Sequence, residues 1–186
     1  WRTAGLNSLV VAAIASALAL GIGLTAALGL REVRGSVGRF ALVILLAPHF
    51  LGLEVAGLIL ARERHIISMY KEPRNDLVDW LMRRSRLRFG GALFERDSHL
   101  KGMIRLIRSG YPFYYLPDQN PGEADHVFAP FFGVPTATLT ALSRIARLAD
   151  AVVIPCFTRL LPKGDGYELI FHPPLENFPS KDALAD

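Results

Sequence analysis

The run Ala41-Leu42-Val43-Ile44-Leu45-Leu46-Ala47 is short, aliphatic and free of charge, and it stops at Pro48 and His49. Such a run reads as a strand buried on both of its faces, which is the signature of a parallel sheet. Parallel strands need crossover connections, usually helices, so this one segment commits the chain to an α/β architecture.

The residues that end the strand carry the chemistry. His49 and Glu54 form an H-x4-E pair where the strand gives way to a helix, at the carboxyl end of the sheet. Open α/β sheets bind their ligands there. Imidazole titrates near neutral pH and can take a proton from a hydroxyl, and a carboxylate beside it can fix its tautomer and stabilise the imidazolium. An i to i+5 offset does not share one face of a regular helix. The two side chains meet only if His49 stands in the loop or first turn, a position that Pro48 favours. A core histidine followed by a surface glutamate would give the same spacing, so the pair needs its surroundings.

Downstream, α and β signals alternate. A helix is predicted over about residues 50–62. A second runs from Asp76 to Leu87, with Leu77, Trp80, Leu81 and Met82 facing inward. A strand at Phe89–Phe94 is interrupted by Gly90-Gly91, and a helix capped by Ser98 is ended by Gly110. A strand at Phe113–Leu116 closes at Pro117-Asp118. A helix is expected from Thr136 to about Leu148, then strands near 151–157 and 167–172. The single cysteine, Cys156, excludes an internal disulfide and a multi-cysteine zinc site, and its apolar neighbours predict an inert core thiol.

The N-terminal part differs. No charge occurs between Leu6 and Leu30, a length that suits a bilayer-spanning helix, which needs about 20 apolar residues, while its Ala and Gly content equally allows a buried helix. Arg2 before it and Arg31 and Arg34 after it favour a cytoplasmic C-terminal side. The string Gly21-Ile22-Gly23-Leu24-Thr25-Ala26 has a dinucleotide-binding pattern, but no acid follows at the required distance, so we read it as coincidence. The expected division is an apolar segment, 1–37, and an α/β domain, 38–186. Apolar residues make up 51% of the 186 and mean hydropathy is +0.29. The net charge of +4 is too modest to argue for nucleic acid. Arg83, Arg84, Arg86 and Arg88, with Lys101, Arg105 and Arg108, offer contact to lipid phosphates or an acidic carrier, or form solvated faces.

Three further clusters follow His49 in order. Gly90-Gly91-Ala92-Leu93-Phe94-Glu95-Arg96 ends a strand in an acid and an arginine, a residue suited to phosphate. Tyr114-Tyr115-Leu116-Pro117-Asp118-Gln119 is an aromatic strand opening into a polar loop. Val127-Phe128-Ala129-Pro130-Phe131-Phe132-Gly133-Val134-Pro135 is expected to line something greasy or to pack the core. In this order and spacing the pieces closely resemble the lysophospholipid-acyltransferase-like superfamily, and within it the late acyltransferases of lipid A biosynthesis, from about Gly38 onward.

That resemblance implies a mixed, mostly parallel sheet flanked by helices, with the N-terminal apolar helix added. It implies an enzyme at the cytoplasmic face of a bacterial inner membrane that moves an acyl chain from acyl carrier protein to a hydroxyl of the Kdo-bearing lipid A precursor. His49 would be the general base and Glu54 its partner. Arg96, Asp118, Glu95 and Gln119 would contact substrate, and neither metal nor cofactor is needed. Two alternatives stay open: an acyl-CoA-dependent acyltransferase for a glycerophospholipid, an aminolipid or a mannosylated lipid, and a membrane protein that keeps the scaffold without catalysis. Pro117-Asp118-Gln119, standing where the glycerol-phosphate branch carries a P-E-G-type motif, argues against that branch.

Overall fold

The computed structural model describes residues 30–34, 42–50, 52–95, 100–119 and 126–180, with backbone alone for 30–34. Nine strands are described. They are β1 (Leu30–Arg34), β2 (Val43–Leu46), β3 (Ile67–Tyr70), β4 (Ala92–Glu95), β5 (Phe113–Tyr115), β6 (His126–Phe131), β7 (Val134–Leu139), β8 (Val152–Leu160) and β9 (Tyr167–Phe171). Four α-helices accompany them: α1 (Leu53–Glu63), α2 (Asp76–Arg86), α3 (Leu100–Arg108) and α4 (Ala141–Ala149).

Seven strands form one sheet in the order β1-β9-β8-β2-β5-β3-β4. Only the β8–β9 pair is antiparallel. The charge-free run supplies β2, the middle strand, whose Val43, Ile44 and Leu45 are almost fully buried. Strand alternation divides the core between two faces. Val43, Leu45, Tyr114, Ile154 and Cys156 pack with Ala56 and Leu60 of α1. Ile44, Phe113, Tyr115 and Val153 pack on the other side with Met103 and Ile107 of α3 and Ile145 and Ala146 of α4. Each large side chain so buried stabilises the fold by about 1.5–3 kcal/mol. Cys156 lies wholly inside as expected, and burial pushes its thiol up to about 12.

The mixed, mostly parallel sheet flanked by helices is therefore present. The expected N-terminal helix lies outside the described residues as far as position 29. Beyond it Leu30–Arg34 are a strand, paired in parallel with β9. Among the described residues no helix is long and apolar enough to cross a membrane.

Three local expectations are corrected. The helix expected from Thr136 begins only at Ala141, because Val134–Leu139 pairs with His126–Phe131 as an antiparallel hairpin. Its loop, Phe132-Gly133, has φ of 51° and 80°, the doubly positive pattern that matches strand twist in a two-residue turn. The aromatic segment is neither core nor lining, since Phe128, Phe131 and Phe132 are exposed. Leu77, Trp80 and Leu81 of α2 also face outward, because the face of α2 that meets the protein carries Asp79, Met82, Arg83 and Arg86.

Candidate active site

Pro48 and His49 leave the sheet at the end of β2, held to the neighbouring strand by the bond from Ala47 N–H to Tyr115 O at 3.0 Å. A tight turn follows, in which Phe50 N–H donates to Pro48 O at 2.8 Å. Gly52 then caps α1 with φ of 90°. A Cβ at that position would lie 2.7 Å from Thr158 Cγ2, so both the backbone angle and the close approach of β8 require glycine. His49 thus stands in the loop before the helix, as the spacing argument required.

Its partner is Asp118, in the loop after β5. One carboxylate oxygen accepts the His49 backbone N–H at 2.7 Å, and the other lies 2.5 Å from ring Nδ1. Strands β2 and β5 are parallel neighbours, with Leu46 opposite Tyr115, so residues three beyond each strand end are brought side by side. Burial pushes the Asp118 carboxyl up, but the hydrogen bonds from the His49 ring and backbone outweigh it and hold the group below the usual carboxylate range. With Nδ1 engaged by a carboxylate, Nε2 is the ring nitrogen left to face a reactant.

Glu54 lies in the first turn of α1, and its carboxylate is gripped by the Arg86 guanidinium: Nη2 binds one oxygen and Nε donates to the other at 3.3 Å. The H-x4-E spacing suggested a Glu54–imidazole contact, whereas in the structure Asp118 occupies that place and Glu54 joins α1 to the end of α2. The two residues do share a cavity of ≈ 160 Å³, lined also by Leu53, Gly57, Leu58, Met69, Arg86 and Tyr114. On the α3–α4 side of the sheet a second cavity, of ≈ 380 Å³, reaches Asp118 between Pro48, Pro117, Leu139, Leu142 and Phe157. Gln119 lines a smaller space with His49 and Tyr70. Glu95 ends β4, the outer strand beyond β3, and Arg96 lies outside the described residues.

The arrangement can activate a hydroxyl. A histidine clamped through Nδ1 lines one cavity while its partner Asp118 lines the second, so a proton acceptor lies where greasy substrates can be held out of water. Spacing alone missed two features: the Asp118 contact, which depends on strand register, and the Arg86 contact, spanning 32 residues. Helical periodicity could have found Gly57 and Leu58, one turn beyond Glu54 on the same helix.

Comparison with known proteins gives the family. The sequence model of the family described as "Bacterial lipid A biosynthesis acyltransferase" matches residues 27–185. A lipid A biosynthesis acyltransferase of Haemophilus influenzae is 37% identical over 161 residues, covering 85% of this chain and 51% of that protein. The lipid A biosynthesis lauroyltransferase of Escherichia coli K12 is 34% identical over 86% of the chain and 52% of its own length. The myristoyltransferase of the same organism is 31% identical over 75% of the chain and 44% of its own length. The chain spans about half the length of these relatives. With the match covering most of its residues, the chain belongs to the bacterial lipid A biosynthesis acyltransferase family.

Proposed function

We propose that this chain carries the catalytic core of an acyltransferase that moves a fatty acyl group from acyl carrier protein to a hydroxyl of a lipid A precursor at the bacterial inner membrane. The observation that carries the reading is the clamp of Asp118 on His49 beside an apolar cavity. Asp118 holds the proton on Nδ1, so Nε2 accepts the proton of the acceptor hydroxyl as its oxygen attacks the thioester carbonyl. The tetrahedral intermediate collapses with loss of the thiolate, which takes the proton back from Nε2. Residues 38–186 would form the catalytic domain and 1–37 its approach to the membrane, with Leu30–Arg34 of that segment joining the sheet through β9.

Glu54 acts at one remove. Its carboxylate fixes the Arg86 guanidinium at the wall of the cavity, where a planar, permanently charged fork suits the phosphates of an acidic lipid or carrier. Arg96, Glu95 and Gln119 are assigned to substrate contact on the family pattern.

The test is acyl transfer to the Kdo-bearing lipid A precursor, read by mass spectrometry, with acyl carrier protein thioesters and acyl-CoA as separate donors. A mass gain of one acyl group that disappears in His49→Ala supports the reading. A gain from acyl-CoA alone would reassign the donor, and no gain from the folded chain would overturn the assignment.

A further inference from the structure

Helix α2 is amphipathic in the reverse sense. Apart from Met82, its inward residues are charged: Arg83 donates to the Tyr70 hydroxyl at 2.7 Å, Arg86 grips Glu54, and one carboxylate oxygen of Asp79 is shut away from solvent. Its outward residues are apolar: Leu77, Val78, Trp80 and Leu81 are 64, 46, 53 and 49% exposed. No residue of the helix is buried. A surface helix of a water-soluble domain has the opposite order, with its apolar stripe on the core. Large apolar side chains gathered in one place on a surface mark an interface rather than ordinary scatter.

The charges around the patch say what covers it. Arg84 and Arg88 are exposed. The Arg84 guanidinium lies 5.3 Å from the centre of the Trp80 ring, and that of Arg88 lies 4.7 Å from the centre of Phe89. Arginines stacked on exposed aromatics, beside leucines, match a helix lying in a bilayer interface, where rings sit at headgroup depth and cations meet lipid phosphates. Asp76, in the first turn, stands at the opposite end of the helix from Arg84. An acidic protein partner would satisfy the arginines but would leave the apolar face without purpose.

We propose that α2 is an interfacial helix that seats the protein on an anionic phospholipid bilayer. Arg83 and Arg86 tie the same helix to the end of β3 and to Glu54 on the cavity wall, so docking through α2 brings that cavity to the lipid surface. An acyl chain could then reach His49 without crossing water.

The experiment uses the natural reporter at the centre of the patch. The chain has two tryptophans, and Trp1→Phe leaves Trp80 alone. The whole chain is mixed with phosphatidylglycerol–phosphatidylcholine vesicles whose acyl chains carry bromine. Expected are a blue shift of Trp80 emission and quenching by the bromines. Arg84→Gln and Arg88→Gln should each weaken vesicle partitioning about fivefold. Leu77→Gln with Leu81→Gln should reduce the quenching while circular dichroism stays unchanged, since both positions are exposed. Emission that stays at its water-exposed value while the chain sediments with vesicles would overturn the proposal and assign anchoring to another segment. A Trp80 response only to acidic acyl carrier protein, without lipid, would overturn it too. Quenching reads lipid contact whether or not any acyl group is transferred.

Discussion

Asp118 holds His49 at two points, accepting the backbone N–H at 2.7 Å and lying 2.5 Å from ring Nδ1. A carboxylate bound to both the backbone and the ring of one residue fixes the position of that residue as well as its tautomer. The clamp lies three residues beyond the paired ends of two parallel strands, whose register brings the two residues together.

The first prediction follows from the clamp. His49→Ala should lower acyl transfer by about 10²–10⁴-fold, the usual worth of a positioned general base. Asp118→Asn should retain the shape of the loop but present the ring in the wrong tautomer, with a loss of about 10²-fold or more in kcat. Circular dichroism should be unchanged in both variants. Equal activity of Asp118→Asn and the parent would remove Asp118 from the mechanism.

The same contact sets a pH dependence of stability. The Asp118 carboxyl lies lower in the folded protein than in the unfolded chain, so the folded state binds fewer protons there. Its contribution is therefore fully present above the ordinary carboxylate value and is lost as pH falls through the lower, folded value. Because Asp118 is 40% exposed, solvent screening limits the effect to at most about 1 kcal/mol. Denaturant titrations of the parent and Asp118→Asn should differ at neutral pH and converge in acid.

Glu54 and Arg86 should behave as one unit. Either replaced by alanine leaves a charge at the cavity wall without its partner, while the double variant removes both. The losses in transfer should therefore be non-additive, with a coupling of about 0.5–3 kcal/mol in a double-mutant cycle. If Glu54 instead acted directly on His49, Glu54→Ala would couple to Asp118→Asn and leave Arg86→Ala additive.

How far the sequence could be read depended on whether a feature was local. The charge-free run at 41–47 announced a central strand, and Pro48 placed His49 in a loop, because burial and proline geometry act within a few residues. The choice between Glu54 and Asp118 as the carboxylate on the ring could not be read, since it depends on which strands are neighbours and in what register. Strand β3 was missed because Ile67-Ser68-Met69-Tyr70 is four residues with a polar one among them. Thr136–Leu139 was misread as helix because its alternation makes sense only opposite a partner strand. The orientation of α2 went wrong for a different reason: periodicity finds the apolar stripe but not the medium it faces.

Cavity shape leads to a specificity test. Gly57 lines the cavity beside His49, and a Cβ there would sit 3.7 Å from Tyr114, an ordinary contact, so larger side chains fit without backbone strain. Gly57→Leu should fill part of the space and shift preference toward shorter acyl donors by one or more carbon pairs, with kcat for the short donors retained. Competition among thioesters of different chain length, read by mass spectrometry, checks it. A uniform fall for all donors would mean that this cavity holds no donor chain.

The turn that presents His49 yields the last prediction. Gly52 has φ of 90°, a region that L side chains rarely adopt, and a Cβ there would meet Thr158 Cγ2 at 2.7 Å. Gly52→Ala must move either the start of α1 or strand β8, at a cost of about 1–3 kcal/mol. For a chain of this size that corresponds to a fall in melting temperature of about 2–4 °C per kcal/mol. Because α1 begins four residues after His49, a shift of its first turn also moves Glu54 relative to the histidine. Thr158→Ser removes the clashing methyl and should recover part of the stability but not the part due to backbone angle. A full rescue by Thr158→Ser would show that contact alone, and not the left-handed conformation, demands glycine here.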